Sequence, residues 1–521
     1  MATSSFYASS QLLIGELLKR AAHRDSNMDA FKFEEEAVTF QELDKRASQL
    51  AAWLMSIELS RDEQVGFILK NSLAIVEVFF GTALSGHAGV PINFRLGALE
   101  LEYIVNHSDC AVLFIDEEYA ETVWQMKERL PKLHTVIVNG QVPEHMDFLA
   151  YSQLFEKDIV YMAPNIHDED PAMIVYTSGT TGRPKGAVLT HKNLCINGLN
   201  MMWEGQAGLH QIQLATVPLF HIAGIMILMR TVLVCGKTII QKEFHPLSVL
   251  KAIEEEGVTT LALVPTMWNY LLRIPDIEQY ELSSVKSCTT GGAICPLQLK
   301  QLILKHFHQA FLIDTFGQTE TTSSATVLKG EDALRKTNSV GRATLNVELR
   351  VVDEDMKDVP IGEVGEIIYR GPSVMKEYYK NREATEDAFK GGWFHSGDLV
   401  RMDEEGFIYV VDRKKDMLIS GGENIYPAEV EAVLLSHHSI MDCAVIGVPD
   451  QVLGESVKAI VVLKPGERLT EEEVIVHCGN LLASYKKPKK VEFMTELPRN
   501  ASGKVLKQVL RKHALEDTGL A

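Results

Sequence analysis

Ten consecutive residues, Thr177 to Gly186, contain three glycines, four hydroxyl side chains and one lysine. They follow an apolar run, Ala172 to Tyr176, that reads as a buried strand. Glycine lets backbone N–H groups turn inward, hydroxyls donate to phosphate oxygens, and lysine supplies charge. Thr177, Ser178, Gly179, Thr180, Thr181, Gly182 and Lys185 therefore read as a phosphate-cradling loop. The order GxxGxxKG, with Pro184 before the lysine, differs from a Walker A loop. The bland alternative is a surface Gly/Thr turn.

Other residues carry chemistry further along. Glu320 is an isolated acid among Thr319, Thr321, Thr322 and Ser323. A carboxylate of this kind suits Mg²⁺ that bridges phosphates, with Thr177 as a second oxygen ligand. Its alternative is an acid at a helix start. Asp398 follows Gly397 and is expected at a turn after a strand. There it either accepts from two vicinal ribose hydroxyls, with Arg413 alongside, or closes an Asx-turn. Phe316 is either a flat face for a purine or a core aromatic. His221 interrupts an apolar run, Val217 to Met229, and is either a satisfied core histidine or a group exposed to a ligand. Lys504 sits in a Ser-Gly-Lys turn and is either solvated or a cation for a developing negative charge.

These stretches resemble, in order, the signature motifs of the adenylate-forming superfamily, which includes acyl- and aryl-CoA synthetases. The matching segments are Tyr176 to Gly186, Val217-Pro-Leu-Phe-His221 and Asp314-Thr-Phe-Gly-Gln-Thr-Glu320. They continue with Gly392-Trp-Phe-His-Ser-Gly-Asp398, Asp412-Arg-Lys-Lys-Asp416, Ser420 to Pro427 and Pro498 to Lys504. The resemblance spans nearly the whole chain. It implies ATP, Mg²⁺ and coenzyme A, and two half-reactions. An acid and ATP first give an acyl-adenylate and pyrophosphate, and a thiol then takes the acyl group.

The resemblance also assigns roles. Asp314, Thr315, Phe316, Gly317, Gln318, Thr319, Gly291, Gly292 and Ala293 would line the nucleotide site, with Asp398 and Arg413 at the ribose. Phe316 stands where the family more often has tyrosine. Lys504, His221 and Lys185 would be the catalytic set, Lys415 the hinge, and the segment at Gly421-Gly422 the face offered to the thiol. His221, Ala223, Gly224, Trp268, Gly291, Gly292 and Ala293 would line the acyl pocket. No charged side chain occurs in those stretches, so the expected substrate is a medium- or long-chain fatty acid, with an aromatic acid second. A catalytically silent nucleotide- or lipid-binding relative is the reading from another class.

The elements that must position these residues have their own signals. Thr39-Phe-Gln-Glu42 is a capping box before an amphipathic helix with Leu43, Ala47, Leu50, Ala51 and Leu54 on one face. Val65 to Leu69 reads as a strand, Asn71 to Ala83 as a helix, and Gly89 to Ile92 as the next strand. The same alternation returns between Thr260 and Thr289, which predicts parallel α/β layers. From Val340 short alternating strands predict a β-rich subdomain. Ala444 to Val448, Lys458 to Leu463 and Glu471 to Leu482 predict a small α+β domain. The expected division is a large domain over 1–412 and a small mobile domain over 413–521, hinged near 412–416.

Composition bounds the rest. The chain has 521 residues, 46% apolar and 23% charged, which is ordinary globular composition and excludes a disordered chain. The formal charge is −19, which argues against a nonspecific nucleic-acid binder. All of that excess lies in residues 1–412, because residues 413–521 hold 15 basic and 15 acidic side chains. Nine of those bases fall between Lys486 and Lys512, a stretch that either steers a phosphorylated thiol or is simply solvated. Seven scattered cysteines form no CxxC pair, and the N-terminus has no signal-peptide pattern, so a reducing cytoplasm is the expected location. The 13-residue apolar run at Val217 to Met229 is too short for a membrane span; transient membrane contact and a homodimer stay open.

Overall fold

The computed structural model describes residues 11–157, 159–177, 183–421, 423–450, 452–499 and 505–516. The chain divides into two compact units, Met1–Leu349 with Tyr369–Phe394, and Arg350–Ile368 with His395–Ala521. The expected boundary at 412/413 falls inside the second unit, because the β-rich segment groups with the C-terminal residues.

The first unit is built on two sheets. One runs Ser339–Ala343, Thr326–Lys329, Phe311–Phe316, Ser287–Gly291, Thr260–Ala262, Ile212–Ala215, Lys237–Ile240, Asp29–Phe33 and Glu36–Thr39. Its middle, from Phe311–Phe316 to Asp29–Phe33, is parallel. The other sheet runs Glu377–Tyr378, Lys185–Thr190, Pro171–Thr177, Gly89–Pro91, Gln64–Ile68, Cys110–Asp116, Thr135–Asn139 and Leu149–Ala150. Helices cover the faces, as buried parallel strands require.

The local signals act as expected. Thr39 Oγ1 accepts from the Glu42 N–H at 3.2 Å, and Glu42 returns the bond to the Thr39 N–H at 2.9 Å. The helix they open, Phe40–Ser56, buries the five predicted positions. It packs on Leu73–Ser85, where a Cβ on Gly81 would lie 2.5 Å from a Leu50 methyl. That helix starts two residues later than its pattern predicts, because Asn71 is used elsewhere. The Asn71 amide donates to the carbonyls of Val217 and Gln241 at 3.0 Å and accepts from the Leu219 N–H at 2.8 Å. Asn71 thus pins the loop that leads to His221.

His191 opens the helix His191–Glu204 fully buried. Its Nδ1 accepts from the Ile14 N–H at 3.4 Å, and its Nε2 has no hydrogen-bond partner among the described residues. Burial pushes the ring down to about 4. The unfolded ring, near 6.5, takes its proton first, so this contribution is intact above pH 6.5 and is lost as pH falls toward 4. The expected loss is about 2 kcal/mol by pH 5. Urea unfolding of wild type and His191→Gln at pH 7 and pH 5 should give a flatter acid dependence in the variant. Equal slopes would refute the assignment.

In the second unit, Val364–Arg370, Phe394–Met402 and Ile408–Arg413 are successive strands. Beyond them Glu423–Ile425, Leu418–Ser420, Gly454–Leu463 and Ile440–Asp450 form a sheet, and Lys490–Phe493 pairs parallel to Gly454–Leu463. One face buries Val430, Leu434, Val474 and Cys478 from two helices, and the other buries Leu510 and Ala514 from Lys507–Glu516. This is the expected small α+β fold. All seven cysteines are free and buried, and among the described residues no helix is long and apolar enough to cross a membrane.

Candidate active site

The glycine-rich segment joins two antiparallel strands, Pro171–Thr177 and Lys185–Thr190, in the register Thr177 opposite Lys185. Ser178, Gly179, Thr180, Thr181 and Gly182 lie outside the described residues. The mouth of the hairpin is well held. The Tyr103 hydroxyl donates to the Pro184 carbonyl at 3.2 Å, and the Tyr103 ring lies under the Arg183 guanidinium.

Glu320 reaches this mouth from the other sheet of the same unit. It sits in a single turn, Thr319–Thr321, after the strand Phe311–Phe316, and is buried. Its Oε1 accepts from the Tyr378 hydroxyl at 2.9 Å and from Thr177 Oγ1 at 3.4 Å. Oε2 takes no hydrogen bond among the described residues. Lys185 Nζ lies 5.1 Å from the centre of the Tyr378 ring. Thr177, Lys185, Glu320 and Tyr378 thus form one cluster of hard oxygens beside an ammonium group. Its donor chemistry fits a Mg²⁺–phosphate pair. Tyr378 escaped the sequence reading; it arrives on the two-residue strand Glu377–Tyr378, which pairs with Lys185–Thr190.

The backbone after Glu320 is strained. Thr322 and Ser323 have φ of 54° and 85°, a costly conformation for a β-branched residue. It is over-determined by neighbours. Thr322 Oγ1 donates to the Ser373 carbonyl at 2.6 Å, and the Asn197 amide donates to the Ser324 carbonyl at 2.8 Å.

The remaining motif residues of this unit collect along one edge. Ser287–Gly291 and Phe311–Phe316 are parallel neighbours with Gly291 opposite Thr315. Gly291, Gly292 and Ala293 thus leave the sheet beside Thr315, Phe316, Gly317, Gln318 and Thr319. His221 follows the parallel strand Ile212–Ala215, separated from Ser287–Gly291 by Thr260–Ala262, at the same carboxyl edge, where open α/β sheets bind ligands. Gly317 is required by contact: a Cβ there would lie 2.0 Å from the Ser323 carbonyl oxygen. Thr315 Oγ1 donates to the Thr290 carbonyl at 3.2 Å, and Phe316 is half-buried.

Three expectations need correction. Asp314 does not face a ligand; it is buried, with Lys300 Nζ 2.8 Å from its carboxylate. Strand alternation turns it away from the side of Thr315. Trp268 is fully buried and donates to the Thr289 carbonyl at 3.2 Å, so it supports the pocket strand instead of lining a cavity. Gly224 is small because the Pro218 carbonyl oxygen comes within 2.3 Å of where its Cβ would be, not to leave room for a substrate.

His221 caps the helix Ile222–Val234, its Nδ1 accepting from the Ala223 N–H at 3.4 Å. An amide can only donate, so the neutral ring carries its proton on Nε2. Its ring is densely surrounded, and that desolvation pushes it below the usual histidine value, yet it stays accessible.

In the second unit, Asp398 lies within the strand Phe394–Met402, not after it, opposite Arg413. The His-Ser-Gly-Asp spelling reads as a turn because Gly397 has φ of 71°, but the Gly397 N–H is held by Glu366 and the strand continues. Arg413 Nε lies 2.6 Å from the Asp398 carboxylate. The Asp412 carboxylate accepts from the Ala428 N–H at 2.8 Å, and Arg511 lies 3.0 Å from Asp416, so the turn containing Lys415 is clasped on both sides. Ser420, Gly421, Tyr485, Lys487 and Lys489 line a cleft of about 220 Å³. Gly422 and Lys504 lie outside the described residues; Arg499 and Val505 pair as a bridge just before and after Lys504's segment.

Residues 18–379 match the AMP-binding enzyme family, and residues 429–504 match the AMP-binding enzyme C-terminal domain. The chain belongs to the AMP-binding enzyme family. A feruloyl-CoA synthase of an Amycolatopsis species is 37% identical, over 96% of this chain and 98% of that one. The long-chain-fatty-acid–CoA ligase FadD13 of Mycobacterium tuberculosis is 32% identical, over 96% of this chain and 98% of the ligase. Among solved structures, the O-succinylbenzoate coenzyme A synthetase of Bacillus subtilis in complex with ATP and magnesium superimposes with a TM-score of 0.83. It is 30% identical, and the match covers 94% of this chain and 98% of that one. The expected family and α/β fold are thereby established, and so is its membership of a family whose relatives here are acid–CoA ligases.

Proposed function

We propose that this AMP-binding enzyme converts a carboxylic acid, ATP and coenzyme A into an acyl-CoA, AMP and pyrophosphate. A carboxylate oxygen attacks the α-phosphorus and the bond to pyrophosphate breaks; the thiolate sulfur then attacks the acyl carbon and AMP leaves. The observation that carries the reading is the cluster of Thr177, Lys185, Glu320 and Tyr378 at the mouth of the glycine hairpin.

Each residue has a task in this scheme. Glu320 and Thr177 would hold Mg²⁺, which would neutralise phosphate charge when bound. Tyr378 fixes the Glu320 carboxylate, and Lys185 meets phosphate oxygens. Phe316 offers its face to the adenine, and Asp398, held by Arg413, accepts from the ribose. His221 presents Nε2–H to the acid carboxylate and orients it; a carboxylate needs no general base. Lys504 supplies the cation for the adenylation transition state. Residues 413–521 move as the mobile domain about a hinge near 412–416 with Lys415 at its centre. That motion offers the Gly421 face, and the Lys487 and Lys489 ammonium groups beside it suit a phosphorylated thiol. The free, buried thiols are consistent with a cytoplasmic setting.

We take the acid to be compact and ring-bearing instead of a long alkyl chain. The feruloyl-CoA synthase and indoleacetate–CoA ligase relatives support this reading. The test is AMP release across C2 to C18 fatty acids, benzoates, cinnamates and aryl keto acids, each with and without coenzyme A. Aryl acids should give the highest kcat/KM, with turnover beyond a first burst only when coenzyme A is present. A maximum at C12 to C18 acids would return the reading to fatty acids; no AMP from any acid would overturn ligation itself.

A further inference from the structure

Glu366 stands in the second unit, on the strand Val364–Arg370, and is buried. The strand Phe394–Met402 runs beside it, and Ile408–Arg413 follows on the far side of that strand. Asp398 and Arg413 face each other across the last two. Glu366 is therefore one strand away from Asp398 and two from Arg413.

Its carboxylate nonetheless reaches the chain neighbours of both. Oε1 accepts from the Gly397 N–H at 3.0 Å, one residue before Asp398. Oε2 accepts from the Lys414 ammonium at 3.2 Å, one residue after Arg413, and pairs with His395 Nδ1 at 3.2 Å. The Lys414 N–H in turn donates to the Gly397 carbonyl at 2.9 Å. The same strand holds this segment a second time. Ser396 Oγ donates to the Ile367 carbonyl at 2.6 Å and accepts from the Asp398 N–H at 3.0 Å.

The chemistry of the position explains why an acid serves there. Gly397 is left-handed, a conformation that only glycine adopts cheaply, and its N–H meets a side chain. That N–H would be costly to leave without an acceptor. Burial alone would push the Glu366 carboxyl up. The His395 hydrogen bond, the Lys414 charge and the Gly397 N–H outweigh that effect and hold it below the usual carboxylate value. An ionised carboxylate can only accept, so His395 carries its proton on Nδ1. Charge-assisted bonds of this kind are short and directional, so three donors converging on one carboxylate fix the backbone that bears them.

We propose that Glu366 is a positioning residue for the nucleotide ribose: it sets the Asp398–Arg413 pair by gripping the residue before the first and the residue after the second. The proposal rests on the reading of Asp398 as the acceptor for the ribose hydroxyls. Glu366 touches no substrate in this scheme. It acts on where the Asp398 oxygens stand, and a displacement of about 1 Å at such a site is enough to cost a large part of the interaction.

The test compares ATP with 2′,3′-dideoxy-ATP, which lacks both hydroxyls, in acid-dependent pyrophosphate release without coenzyme A. Wild type should favour ATP in kcat/KM by about 100-fold, the scale of two hydrogen bonds to a charged acceptor. Asp398→Asn, the reference for a lost ribose contact, should bring that preference to about 3-fold. Glu366→Leu should lose about 10-fold on ATP, chiefly through KM, and stay within about 3-fold on the dideoxy nucleotide. Glu366→Gln should fall between Glu366→Leu and wild type, because its amide oxygen still accepts from Gly397 while its NH₂ faces two other donors. Lys414→Met, at a half-exposed position, should lose about 3-fold on ATP alone and carries the test if the Glu366 variants do not fold. A merely structural role would lower both nucleotides equally, and that result, or a full ATP preference in Glu366→Leu and Lys414→Met, overturns the role of Glu366 while leaving Asp398 at the ribose. No preference for ATP in wild type overturns the ribose reading of Asp398, and the proposal with it.

Discussion

Glu320→Gln lowers AMP formation by about 10²- to 10³-fold, the several kcal/mol that a phosphate-bound metal contributes to the transition state. Gln keeps an oxygen that can accept from the Tyr378 hydroxyl, so the single turn Thr319–Thr321 and the strained pair Thr322–Ser323 have no reason to move. What is lost is the negative charge beside Thr177 and Lys185. The Mg²⁺ concentration for half-maximal adenylation should rise accordingly, with thermal stability little changed. Thioester formation from supplied acyl-adenylate needs no triphosphate, so it should fall far less. An unchanged Mg²⁺ dependence with an unchanged rate would remove Glu320 from the metal site.

Lys504→Ala lowers adenylation by a similar factor, about 10²- to 10³-fold, for a different reason. Here the lost group is a mobile cation between the acid and the α-phosphate, where charge moves as the bond forms. Its effect is confined to one half-reaction, because the proposed rotation about the 412–416 hinge carries Lys504 away before the thiol arrives. Single-turnover measurement of each half-reaction distinguishes the two variants further: extra Mg²⁺ should rescue Glu320→Gln in part and Lys504→Ala not at all. Equal losses in both half-reactions would show that Lys504 acts through folding or through the thiol step.

Legibility in the sequence followed locality. The glycine loop, Glu320, His221 and Asp398 stand in short contiguous motifs, so their types and spacing carry the chemistry. The capping box at Thr39 and the helix after it are equally local. Tyr378 was not legible because nothing in its own neighbourhood marks it; only a two-residue strand pairing with Lys185–Thr190 brings it to Glu320. Asn71 and Asn197 do their work on loops that lie far from them in sequence. Asp314 was misread for a simple reason. A motif lists neighbours along the chain, whereas a strand sends alternate neighbours to opposite faces, and Lys300 waits on the other one.

The seven buried cysteines bear on a hazard particular to this chemistry. An acyl-adenylate is a strong acylating agent, and the protein makes it beside a thiol on purpose. Any thiolate of its own near that intermediate would compete with the intended acceptor and end as a dead covalent adduct. Burial pushes Cys295, four residues past Gly291, up to about 11, and Cys110 and Cys195 up to about 12. At neutral pH these side chains are protonated and inert. The fold therefore leaves the incoming coenzyme as the one competent sulfur nucleophile, and the protein is spared from modifying itself.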